Sequence, residues 1–89
     1  MIVRILEEGQ WDVPEASMRE IETLDDNLSA SIDSGDASAF AESLKAVIDK
    51  VKAVGTEVPS DRMLPSDLML PGSGYSLEET QKLLQEEMD

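Results

Sequence analysis

The 89-residue sequence contains no cysteine and no histidine. The first absence removes a disulfide framework and any thiolate metal site, so the redox compartment is unconstrained and a reducing cytoplasm is the default expectation. Together the two absences remove Ser-His and Cys-His nucleophile machinery and the usual zinc ligands. Aromatic residues are nearly missing too, with one each of Trp11, Phe40 and Tyr75, so any core must be aliphatic. Basic residues are scarce, 7 against 20 acidic ones, for a formal charge of −13. Nucleic acid is gripped by basic stripes that displace counterions, and anionic lipid attracts polybasic segments; a chain this negative is repelled by both. No apolar run approaches the ~20 residues of a membrane span. The opening Met1-Ile2-Val3-Arg4-Ile5-Leu6-Glu7-Glu8 turns charged too early for a signal peptide. No nucleic-acid partner and no direct membrane insertion are therefore expected.

At ~100–150 residues for a typical domain, the length predicts one domain over 1–89. Its core is thin, since a chain of this size buries only about 60–65% of its unfolded surface. Five pieces follow along the chain. Ile2, Val3, Ile5 and Leu6 form a short apolar run rich in β-branched residues, Glu8-Gly9-Gln10 a turn, and Trp11-Asp12-Val13 a second strand, which predicts a β-hairpin over 1–13. Pro14 suits a first helical turn and Glu15 is favoured there by the helix dipole. Met18, Ile21, Leu24, Leu28 and Ile32 then recur at steps of three and four, predicting a first helix over 14–34. Gly35 suits a left-handed C-terminal cap and Asp36 the next N-cap. Phe40, Leu44, Val47, Ile48, Val51 and Val54 hold the helical period over 36–55, closed by Gly55. The short link between these helices predicts an antiparallel helical hairpin.

Beyond Gly55 the texture changes. Pro59, Pro65 and Pro71 bias their predecessors toward extended geometry, so 56–75 cannot be one long helix. Val58, Met63, Leu64, Leu68, Met69 and Leu70 make it too apolar for a flexible linker. The expectation is an ordered arm lying across the helical hairpin or the sheet, with Asp67 to Leu70 as a third, edge strand. Gly72-Ser73-Gly74 reads as a turn. Ser76-Leu77-Glu78-Glu79 matches a capping box, and Leu77, Leu83, Leu84 and Met88 give a final helix over 76–88 its apolar side. The fold class is α+β.

Chemistry-bearing motifs are few. Asp25-Asp26 is the densest carboxylate pair, and a metal or acid/base dyad competes there with a solvated helix face, which is the commoner meaning of charge on a helix. Asp33-Ser34-Gly35-Asp36 lacks the ligand alternation of a calcium loop. Gly72-Ser73-Gly74 lacks the lysine or further glycines of a phosphate loop, and an acidic helix turn follows it. Neither Ser73 nor Ser76 has an identifiable base. No catalytic residue, cofactor or metal is expected. What remains is surface: 15–34 holds six carboxylates against Arg19, and 76–89 five against Lys82, whereas 36–55 balances three of each sign. Such acidic faces either solubilise or steer a basic helical partner. The arm has two readings as well, buried cover or exposed docking strip, to which methionine is suited.

The opening Met1 to Leu6, Glu8-Gly9-Gln10-Trp11, Val13 and Leu24-Asp25-Asp26 resemble the start of the PspA-associated (PspAA) family of the phage-shock envelope-stress system. Pro59-x-Asp61 and Leu64-Pro65-Ser66-Asp67-Leu68-x-Leu70-Pro71 resemble that family's most distinctive segment, and Ser76-Leu77-Glu78-Glu79 its last helix start. The resemblance implies a non-enzymatic partner of a PspA-like coiled-coil protein, a membrane remodeller related to ESCRT-III subunits. It implies a cytoplasmic location, peripheral at the inner face of the membrane through that partner. Trp11, Leu64, Pro65, Asp67, Leu68 and Leu70 are the expected partner-binding residues. The alternative is a homodimeric structural or regulatory module, using the hairpin edge or the arm, without a PspA-type partner.

Overall fold

The computed structural model describes residues 1–59, 61–62 and 64–88, with side chains described through residue 83 apart from Ser60 and Met63. The β-branched start pairs as a hairpin of β1 (Ile2–Ile5) and β2 (Gly9–Asp12), in antiparallel register with Val3 opposite Trp11 and Ile5 opposite Gly9. The connecting turn is Leu6-Glu7-Glu8, closed by the Glu8 N–H donating to the Ile5 carbonyl at 3.0 Å. It lies two residues before the expected Glu8-Gly9-Gln10. The reason is backbone geometry: Glu7 takes the left-handed conformation at φ +67°, and Gly9 at φ +130° lets β2 begin at once.

Two long helices follow, α1 (Glu15–Ser34) and α2 (Ala37–Val54). Their apolar stripes face each other and the sheet. Met18, Ile21 and Leu28 are buried from α1, and Phe40, Leu44, Val47, Ile48 and Val51 from α2. The link between them uses the caps that the sequence predicts. Gly35 adopts φ +70° and its N–H donates to the Ile32 carbonyl, while the Asp36 carboxylate accepts the Ser38 and Ala39 N–H groups at 3.1 Å each.

Past α2 the chain returns to the sheet twice. β3 (Thr56–Val58) pairs antiparallel with β2, and β4 (Leu68–Leu70) pairs parallel with β1, giving the order β3-β2-β1-β4. The third strand expected at Asp67 to Leu70 is β4; β3 is an addition. Gly55 is what allows the immediate step from α2 into β3. A Cβ there would lie 2.7 Å from the Val51 carbonyl oxygen and 3.1 Å from the Trp11 Cβ.

Strand alternation assigns the two faces of the sheet. Val3, Ile5, Trp11, Leu68 and Leu70 share the face toward the helices, and Val3, Ile5 and Leu70 have no exposed surface. At ~1.5–3 kcal/mol for each fully buried aliphatic side chain, these positions outweigh any surface contact in the molecule. Arg4, Gln10, Val58 and Met69 share the outer face. The arm crosses that outer face from the β3 edge to the β4 edge and is pinned by Gln10. Gln10 Nε2 donates to the Leu64 carbonyl at 2.7 Å and to Ser66 Oγ at 3.2 Å, while its Oε1 accepts the Leu64 N–H at 3.2 Å.

The last helix, α3 (Leu77–Met88), packs on both α1 and α2. Its start is the reciprocal capping box that the sequence predicts, with the Glu79 N–H donating to Ser76 Oγ and the Ser76 N–H to Glu79 Oε1. Leu77 packs against the core, Thr80 is buried, and Gln81 Nε2 donates to the Ile32 carbonyl at 3.2 Å. Leu84 and Met88, expected on the same side, and Met63 of the arm lie outside the described side chains.

Candidate partner-binding surface

The six residues expected to meet a partner do not share one surface. Trp11, 7% exposed, belongs to the core, with the Lys52 ammonium 5.5 Å from its ring centroid. Leu70 is fully buried and Leu68 is half-buried against the same core, because alternation in β4 turns both inward. Asp67 serves the sheet: its Oδ2 accepts the Ile2 N–H and its own N–H donates to the Ile2 carbonyl, both at 2.8 Å. Only Leu64 and Pro65 lie open on the outer face, with Leu64 held by its backbone to Gln10. The arm thus splits: Leu68 and Leu70 join the core through β4, whereas Leu64 and Pro65 stay open.

A larger feature lies on the other side of the molecule. One face of α2 and the segment from Ser73 to Leu77 enclose a groove of about 630 Å³. Phe40, Leu44 and Ile48 form its apolar floor, the exposed Ala37 and Ala41 its shallow side, and Tyr75 and Leu77 its far wall. Lys45, Asp49 and Lys52 stand along its rim. α2 supplies this stripe because its small and apolar residues recur every three or four positions past the side that meets α1.

The far wall is fastened by Glu8. Glu8 Oε1 accepts from Lys52 Nζ at 2.6 Å, and Oε2 accepts the Ser73 N–H at 2.7 Å. These two donors, the lysine foremost, hold the Glu8 carboxyl below its ordinary range. The Gly72 Cα sits so close to the Leu6 carbonyl oxygen that no Cβ fits there, and the Tyr75 N–H donates to the Gly72 carbonyl at 3.0 Å to close the turn. Sequence reasoning misses Glu8, whose partners stand 44 and 65 positions away and leave no local signal.

The acidic face of α1 is less uniform than its sequence suggests. Glu20 takes Lys50 of α2 as a partner at 2.6 Å, and that lysine lowers its carboxyl. Asp26 is exposed, but Asp25 turns into a cleft of about 190 Å³ shared with Leu28, Met69, Leu70 and Leu83. Burial, and then the neighbouring Asp26 charge, push the Asp25 carboxyl up. Among the described residues no group of three or more His, Cys, Asp or Glu side chains is placed to hold a metal ion, and no helix is long and apolar enough to cross a membrane.

The chain is a small α+β domain that presents a groove and charged helical faces. The family model of PspA-Associated proteins (PspAA) matches residues 1–88, and the chain belongs to that family. Membership implies association with PspA-type stress-response machinery and a non-enzymatic role. No curated protein and no solved structure matches the chain.

Proposed function

We propose that the protein is an adaptor that binds a PspA-type membrane-remodelling protein directly, residing in the cytoplasm and reaching the inner face of the membrane through that partner. The observation that carries this reading is the family match over residues 1–88, which takes in the groove, its Glu8 fastening and both acidic helices. The physical support is complementarity. A chain of −13 has no attraction of its own for anionic lipid, but it accelerates encounter with the basic stripes of a helical partner.

The test is size-exclusion chromatography of the purified protein with the PspA-type protein of the same organism, followed by stopped-flow association. Co-elution at low salt is expected. The association rate should fall several-fold between about 0.1 M and about 1 M salt, as the screening length contracts from about 10 Å to about 3 Å. Separate elution at low salt would sink the adaptor reading; an association rate indifferent to salt would remove electrostatic steering from it.

A further inference from the structure

We infer that the cleft beside Asp25 is a socket for one arginine side chain of the PspA-type partner, an inference that deepens the adaptor reading above and rests on it. Asp25 is the anomaly that points there. All seven lysine and arginine side chains lie among the described residues, and two of the lysines pair with Glu8 and Glu20 at 2.6 Å. Among the described residues no cation and no hydrogen-bond donor meets the Asp25 carboxylate. Yet Asp25 is half-buried. A carboxylate drawn out of water without a counter-charge opposes folding, and no contact within the domain uses this one. The missing counter-charge is one that arrives from outside.

The cleft sets the shape of that arrival. It encloses about 190 Å³, the room of about six waters at ~30 Å³ each, so it takes one long side chain and not a helix. Leu28 and Ile32 of α1, Leu70 of β4 and Leu83 of α3 give it apolar walls, and Asp25 is the one charged residue lining it. The hydroxyls of Ser29 and Thr80 are its other polar side-chain groups; Thr80 Oγ1 donates to the Ser76 carbonyl at 2.9 Å, which leaves its lone pairs free to accept. A side chain apolar along its stem and cationic at its head matches this lining, with methylenes on the leucines and the head on the carboxylate. Arginine matches better than lysine, because its planar fork meets a carboxylate bidentately and its weaker hydration lowers the desolvation penalty. Glu22 and Asp26, both exposed within one turn of Asp25, draw a cation toward the mouth. A second copy of this chain is the poorer source of that arginine, since it brings another −13 charge to the contact.

The experiment measures affinity of the PspA-type protein for the full chain and two variants at pH 7 by isothermal titration calorimetry, with thermal melts as the folding check. Asp25→Asn removes the charge in the cleft and keeps the side chain's shape. Asp26→Asn removes the same charge one residue on, at an exposed position outside it. The socket predicts that Asp25→Asn weakens binding about tenfold or more while Asp26→Asn stays within about threefold. Asp25→Asn should melt no lower than wild type, so that one variant keeps its fold and loses its partner. Alanine substitution of the partner's arginines, one at a time, should then find one whose loss weakens binding to the wild-type chain about tenfold but to Asp25→Asn by about twofold or less. Wild-type binding with Asp25→Asn as tight as wild type overturns the socket, as do equal losses in the two variants or additive losses at every arginine, and each of these results leaves the adaptor reading intact. Absence of wild-type binding overturns the adaptor reading itself and the socket with it.

Discussion

Glu8 and Asp25 are both carboxylates near the sheet-to-helix boundary, and their surroundings move them in opposite directions. Glu8 is drawn down by Lys52 and the Ser73 N–H, so the stability it lends is full above its ordinary value of 4.5 and is lost as pH falls through its depressed value. Asp25 is pushed up from 3.8 by burial and by Asp26. Its folded form favours the proton, so its charge opposes folding at neutral pH and that opposition vanishes as pH falls below 3.8. Asp25→Asn is therefore expected to raise the melting midpoint by a few degrees at pH 7 and to leave it nearly unchanged at about pH 3, as thermal melts at the two pH values will show. An unchanged midpoint at pH 7 would mean that Asp25 is solvated like Asp26. Part of this was visible in the sequence: Asp25 stands four residues after Ile21 and three before Leu28, at the flank of the apolar stripe. The cleft it enters is completed by Leu70 and Leu83, which come from distant elements, and was not visible.

At the scale of elements, legibility follows the range over which each one is stabilised. α1 and α2 carry their own period and caps, so Met18 to Ile32 and Phe40 to Val54 announce themselves locally. β3 is three residues long and exists because β2 offers it an edge some 45 positions earlier in the chain, so Thr56-Glu57-Val58 alone gives too little signal. The arm divides the same way. Its prolines declare extended backbone, but only the register of β4 decides that Leu70 faces the core while Met69 faces outward. Leu70→Ala should cost ~2–5 kcal/mol in chemical denaturation, whereas Leu64→Ala should cost ~0.5 kcal/mol or less. Equal losses at the two positions would contradict the division of the arm into an open part and a core part.

For the whole molecule, the relation between charge and edges decides self-association. A homodimer through the hairpin edge is disfavoured because β1 and β2 are the inner strands, covered by β4 and β3 respectively. With −13 on each copy as well, light scattering at high protein concentration and moderate salt should return the mass of one 9.7 kDa chain; a doubled mass would restore the homodimer reading. The groove could not be read ahead of the structure for a related reason. Its two sides come from residues 37–52 and 73–77, and the glutamate that fastens them belongs to a third region of the chain.

The parallel pairing of β1 with β4 also sets a timetable for synthesis. Ile2 meets Asp67 across 65 positions, so a nascent chain holds β1 with one side unpaired until residue 70 has emerged from the ribosome. The helical hairpin and the β1-β2-β3 pairings can form early, but the β4 edge waits. A product halted within residues 59–67 is accordingly not a smaller working domain: it is a chain with an open strand edge and no Leu70, and so a substrate for chaperones and proteases.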